Sequence, residues 1–230
     1  MENKIKTLNE NELVLTYKIF QPNAATGKKN GLILLLHGIG SNEEDLFRLT
    51  NNLPEGFIIV SARAPYTLAP GRYTWFELSH QQGKPVINAE QAEKSRLLLD
   101  TFIAQLLEFY PIDPQQIYLG GFSQGGIMSY SVGLTFPQKL KGIFILSSRL
   151  LPEVKPLINP DASLEKLRLF IAHGTADNVL PIHYAREATS YLREMLPLME
   201  YHEYDMEHTT GKEELNDLNL WIKAGDSLQV

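Results

Sequence analysis

A serine set between two glycines, in Gly121-Phe122-Ser123-Gln124-Gly125, is the stretch of this chain best suited to chemistry. A strand-like run, Gln116 to Leu119, leads into it and a helix-compatible run, Ile127 to Val132, leads out. On so sharp a strand-to-helix turn a serine has a strained backbone, tolerates no bulk on either side, and lifts its hydroxyl into the open. That hydroxyl is a poor nucleophile near neutral pH. It needs an imidazole to take its proton and a carboxylate to orient the imidazole and stabilise its charged form.

Six histidines are available. His208, in Tyr204-Asp205-Met206-Glu207-His208, follows the last strand-like run and is the expected base. His173 reads as a turn residue supporting the loop after it, and His37 ends the first buried strand. His80, His183 and His202 read as solvated or packed side chains. Asp177, on the loop Gly174 to Pro181, is the expected carboxylate, with Asp205 as its competitor three residues before His208. A developing oxyanion needs N–H donors too. One is expected from Gln124, directly after the serine, and the other from Ile39 in the glycine-flanked loop His37-Gly38-Ile39-Gly40. Each such donor contributes on the order of 2.7–4 kcal/mol to a transition state.

Strands alternating with helices must position these groups. Glu12 to Phe20 alternates Leu13, Leu15, Tyr17 and Ile19, the pattern of a half-exposed antiparallel edge strand. Gly31 to Leu36, Phe57 to Val60, Gly142 to Ser147 and Leu167 to Ala172 are continuously apolar, as strands buried on both faces are. Met199 to Tyr204 reads as a last strand. Helices are expected from an Asn42 cap, over Ala89 to Tyr110 with Pro111 ending it, after Ser123, over Ile182 to Leu196, and over Glu213 to Ala224. The segment Ala64 to Val86, rich in prolines and aromatics and without a period, reads as a long irregular surface loop. Its Tyr73, Trp75 and Phe76 are expected to wall a substrate pocket. The alternation implies an α/β fold, a mostly parallel sheet with helices on both faces, with the site at the carboxyl ends of the strands. A length of 230 residues, 43% of them hydrophobic, suits a single domain over residues 1–230.

Composition narrows the function classes. A net charge of −6 offers no basic stripe for nucleic acid. With no cysteine there is neither a disulfide nor a thiolate site, and a reducing cytoplasm is the natural home. The start, Met1 to Lys6, lacks an apolar signal core, and Leu32 to Leu36 is too short to span a bilayer, so no stable membrane insertion is expected.

Taken together, Leu36-His37-Gly38-Ile39-Gly40, Arg72 to Phe76, Ile112-Asp113-Pro114, Ile117 to Gly126 and His173-Gly174 with Asp177 and Val179-Leu180-Pro181 resemble the phospholipase/carboxylesterase family that includes acyl-protein thioesterases. The resemblance runs from about Leu32 to Ile222. It implies an α/β-hydrolase fold, hydrolysis of a small carboxylic ester or thioester, no cofactor and no metal. It also implies the triad Ser123, Asp177 and His208 with oxyanion donors Ile39 and Gln124. One departure is Glu207, where the family usually has a small residue before the histidine; a carboxylate there is expected to crowd the site or raise the histidine's pKa. Fold and triad alone do not select a substrate, so a peptidase or lactone-type hydrolase, or a non-catalytic binding protein, fits the same residues.

Overall fold

The computed structural model describes residues 13–22, 29–81, 84–158 and 163–226. Glu12 and Met1 to Lys6 lie outside them. Seven strands form the central sheet in the order β1-β3-β2-β8-β9-β10-β11. They are β1 (Tyr17–Phe20), β2 (Asn30–Leu36), β3 (Phe57–Ala62), β8 (Ile112–Phe122), β9 (Gly142–Leu146), β10 (Arg168–Gly174) and β11 (Met199–Tyr204). Only β1 runs antiparallel to its neighbour, pairing Tyr17 with Ala62 and Phe20 with Ile59; every other pairing is parallel. The alternation that marks an edge strand is thus met: Leu15, Tyr17 and Ile19 turn inward.

The helices are α1 (Glu43–Phe47), α2 (Ala89–Phe109), α3 (Gln124–Thr135), α4 (His183–Leu192) and α5 (Lys212–Asp226). The period-2 alternation of a strand divides each continuously apolar run between two cores. From β2, Leu32, Leu34 and Leu36 pack with Leu99, Phe102 and Leu106 of α2, Met128 and Val132 of α3, and Ala185 of α4. Ile33 and Leu35 pack on the opposite face with Leu46 of α1 and Leu218 and Trp221 of α5. Helix starts follow the capping residues. Asn42 accepts the Glu44 amide at 2.9 Å and Asn88 accepts the Gln91 amide at 3.1 Å.

The segment after β3 differs from the loop expected of it. It folds into two hairpins, β4 (Tyr66–Ala69) with β5 (Arg72–Thr74) and β6 (Leu78–Gln81) with β7 (Lys84–Ile87). Their strands are three or four residues long, too short for a period to emerge from sequence. A bridge between Ser41 and Tyr73 ties the first hairpin to the loop after β2. Among the described residues no helix is long and apolar enough to cross a membrane, and no group of three or more His, Cys, Asp or Glu is arranged to hold a metal ion.

Candidate active site

From β2 the chain moves outward to β3, then returns to β8 on the other flank of β2. The carboxyl ends of β2 and β8 therefore bound the crevice where open α/β sheets place their ligands. Ser123 stands there, between the end of β8 and the start of α3. Its φ of 54° and ψ of −116° lie in a region that residues with a Cβ rarely occupy. The surroundings hold the strain in place. The Ser123 amide donates to the Leu146 carbonyl at 2.9 Å, and the Ser123 carbonyl accepts from the Ile127 amide at 3.1 Å and from the Ser148 hydroxyl at 2.7 Å. The flanking glycines have no alternative: a Cβ at Gly121 would stand 2.4 Å from the Leu36 carbonyl oxygen, and one at Gly125 only 1.9 Å from it.

His208 and Asp177 arrive on the loops after β11 and β10. These loops are bound to each other: the Thr175 amide donates to Tyr204 O at 2.8 Å and the Ala176 amide to Met206 O at 3.1 Å. Gly174 permits the approach, since a Cβ there would be 2.2 Å from Met206 O. His208 Nδ1–H donates to Asp177 Oδ2 at 2.7 Å. That leaves Nε2 to accept from the Ser123 hydroxyl, 3.0 Å away. The Phe122 ring backs the imidazole at a centroid separation of 4.7 Å. Asp177 is itself fixed, Oδ1 accepting the amides of Val179 and Leu180 at 2.9 and 2.8 Å. Buried His173 donates Nε2–H to the Leu180 carbonyl at 2.6 Å and stands 3.3 Å from Asp177 Oδ2. Burial depresses its pKa, so this contact is a shared N–H from a neutral ring rather than an ion pair. His173 thus supports the aspartate's loop from within β10. Asp205 and Glu207 are both exposed, so the carboxylate before His208 turns to solvent instead of crowding the imidazole.

Across the crevice, Gly38 lies against the elbow: a Cβ there would be 3.5 Å from Ser123 Cβ. Among the described residues no acceptor takes the amide of Ile39 or of Gln124, and Gln124 opens α3, where the first amides lack helical partners. His37 secures this loop. Its Nδ1–H donates to Gly38 O at 2.7 Å and its Nε2 accepts the Ala64 amide at 3.0 Å. Burial lowers its pKa, which keeps the ring neutral and so able to do both.

Trp75 and Phe76 are not the pocket walls expected of them. They are 0% and 1% exposed, in the core, because the hairpin turns their apolar rings inward. The Trp75 indole N–H donates to the His37 carbonyl at 3.0 Å. Tyr73 is half-buried and brackets the same loop, its carbonyl accepting the Gly40 amide at 2.7 Å and its amide donating to Ser41 O at 2.8 Å. Its ring lies under the Arg63 guanidinium, 4.6 Å from the centroid. Trp75 and Tyr73 therefore brace the loop after β2, and Phe76 packs in the core beside them.

The Gln124 side chain was not legible as a functional group. Its Oε1 accepts the Trp75 amide at 2.9 Å, and its Nε2 donates to the Phe76 carbonyl at 2.7 Å. It pins the Trp75–Phe76 segment to the start of α3. Gln124→Ala would strand the buried Trp75 N–H and is expected to cost on the order of 3 kcal/mol, read as a lower urea midpoint.

Behind the His208 loop lies buried Glu214. Its Oε2 accepts the Gly211 amide at 3.0 Å, and burial pushes its carboxyl up to about 7 from the ordinary 4.5. Below pH 4.5 the folded and unfolded chains are both protonated at this site; between 4.5 and about 7 only the unfolded chain loses the proton, so stability falls as pH rises. The fall is on the order of 3 kcal/mol. Urea unfolding of Glu214→Gln at about pH 5 and about pH 8 should show a smaller loss across this window than the wild type shows.

The comparisons with known proteins bear on the family and the fold. Residues 19–225 match the family model described as Phospholipase/Carboxylesterase. Acyl-protein thioesterase 1 of Emericella nidulans is 28% identical over 219 residues, covering 86% of this chain and 91% of that protein. Its namesake in Mycosarcoma maydis is 26% identical over 91% of this chain and 97% of its own length. Among solved structures, esterase PE8 superposes with a TM-score of 0.75 at 25% identity, covering 91% of this chain and 98% of its own. The Bacillus cereus carboxylesterase does so with a TM-score of 0.77 at 20% identity, covering 92% and 94%.

Proposed function

The chain belongs to the phospholipase/carboxylesterase family and has its α/β-hydrolase fold, and on that premise we propose that it hydrolyses small carboxylic esters or thioesters through a covalent acyl-enzyme on Ser123. The observation that carries this reading is one continuous chain of contacts: Ser123 Oγ 3.0 Å from His208 Nε2, and His208 Nδ1 2.7 Å from Asp177 Oδ2.

In the first step His208 Nε2 takes the Ser123 proton as Oγ attacks the acyl carbonyl carbon. The oxyanion is held by the amides of Ile39 and Gln124, which are fixed before substrate arrives and so need no reorganisation during the reaction. The imidazolium passes its proton to the leaving alcohol or thiol as the carbon–oxygen or carbon–sulfur bond breaks. Water, activated by the same imidazole, then releases the acid. Asp177 favours the Nδ1–H tautomer and stabilises the imidazolium. No metal or cofactor takes part. The lack of cysteine suits a reducing compartment such as the cytoplasm, and the whole chain serves as one catalytic domain.

The test pairs p-nitrophenyl butyrate hydrolysis with labelling by a fluorophosphonate. Turnover, together with a label on the Ser123 peptide that butyrate ester competes away, supports the reading. A folded protein that neither turns over esters nor takes the label contradicts it.

A further inference from the structure

We propose that Arg149 selects, for the site described above, esters that carry a free carboxylate in addition to the bond being cleaved. This deepens the hydrolase reading and rests on it. β9 ends at Leu146, and Ser147 reverses the backbone with a φ of 45°, its amide donating to Ala172 O at 2.9 Å. Ser148 next rests on the nucleophile elbow: its hydroxyl holds the Ser123 carbonyl at 2.7 Å, and a Cβ at Gly126 would be 2.6 Å from Ser148 Cβ. On the far side, Leu151 and Val154 anchor the segment in the core. Arg149 is therefore carried on a rigid base, one residue from a group that touches the serine.

Its side chain reaches from the end of β9 toward α4. The guanidinium carbon is 5.4 Å from the centroid of the Tyr184 ring, over its face. Tyr184 is the second residue of α4, which follows the Asp177 loop. β9 lies between β8, which carries Ser123, and β10, which leads to Asp177. The cation thus stands at the same edge of the sheet as the triad.

What sets Arg149 apart from the other described arginines that are not exposed is its lack of an acceptor. Arg63 pairs with Glu43, Arg96 with Glu93, Arg186 with Glu203, and Arg168 donates to the Trp221 carbonyl. Among the described residues no carboxylate pairs with Arg149, and its Nε is buried with no protein acceptor. The guanidinium therefore keeps hydrogen-bonding capacity that no protein acceptor uses, and a carboxylate on a bound substrate can take it up at the terminal nitrogens. The guanidinium's planar fork fits a carboxylate through two parallel N–H bonds, and stacking on Tyr184 presets its plane. One guanidinium matches a single negative charge. The chain as a whole repels anions with its net charge of −6, so the attraction is local to this position.

The experiment compares kcat/KM within two pairs of substrates. One pair is mono-p-nitrophenyl adipate and its methyl ester, which places the carboxylate on the acyl side. The other is S-butyryl-3-mercaptopropionate and its methyl ester, which places it on the leaving side. In at least one pair the wild type is expected to favour the free acid by about tenfold or more, the size of one charge-assisted hydrogen bond. That ratio should collapse in Arg149→Met, be partly retained in Arg149→Lys, and shrink as salt is raised. Methyl esters turned over as well as the acids in both pairs would overturn this inference alone, as would a ratio that persists in Arg149→Met. If no ester is turned over and Ser123 takes no fluorophosphonate, the hydrolase reading falls with it.

Discussion

Ser123→Ala is expected to lower kcat for p-nitrophenyl butyrate by roughly a million-fold, the loss seen when such a triad's nucleophile is removed. The fold should survive. Only the side-chain oxygen is deleted, and its partner is His208 Nε2. The bonds that hold the elbow run through the Ser123 backbone, to Leu146, Ile127 and Ser148. Alanine is as ill suited as serine to a φ of 54°, so replacing one by the other neither relieves nor adds strain. Residual hydrolysis of about a thousandfold over water should persist, because the donors at Ile39 and Gln124 are untouched. An unchanged melting temperature beside the lost kcat would assign the effect to the hydroxyl.

Asp177→Asn is expected to cost roughly ten-thousandfold in kcat, by a different route. Asp177 Oδ1 accepts two backbone amides, from Val179 and Leu180. Those donors require an oxygen at that position, so the asparagine nitrogen must take the place of Oδ2, facing His208 Nδ1. An N–H aimed at Nδ1 forces the imidazole to carry its proton on Nε2, where it can no longer accept from the serine. His173 Nε2, 3.3 Å from Oδ2, would face a second donor there. A nitrogen-resolved NMR spectrum should report the tautomer change, and a smaller kcat loss than the serine variant's would follow from the nucleophile's survival. Equal activity in wild type and variant would remove Asp177 from the triad.

The sheet was legible because its strands advertise themselves. Runs such as Leu32 to Leu36 are apolar at every position, and only burial on both faces asks for that. Once strands and helices alternate, the carboxyl edge collects Ser123, Asp177 and His208 from three separate loops, and their convergence follows from topology rather than from proximity in sequence. The glycines carried position-specific meaning, and the 1.9 Å approach at Gly125 is the physical reason for it.

The hairpins of residues 66–87 were hidden for the opposite reason. Short strands show no period, and an aromatic on an irregular stretch looks the same whether it faces solvent or core. Trp75 goes inward because its indole N–H finds the His37 carbonyl and its backbone finds Gln124. Neither contact is local in sequence, being separated by 38 and 49 residues. Glu207 illustrates the same limit on a smaller scale: adjacency to His208 suggested crowding, whereas the turn of the chain sends the carboxylate to water. Arg149 was invisible because an arginine's meaning depends on whether a partner meets it.

Acylation of Ser123 is read out by intact-mass measurement of the enzyme quenched in acid during p-nitrophenyl butyrate turnover. A species heavier by one butyryl group is expected, located on the peptide containing Ser123 and absent from Ser123→Ala. Steady turnover by wild type, with an acyl group found on another residue or with undiminished turnover by Ser123→Ala, would contradict it.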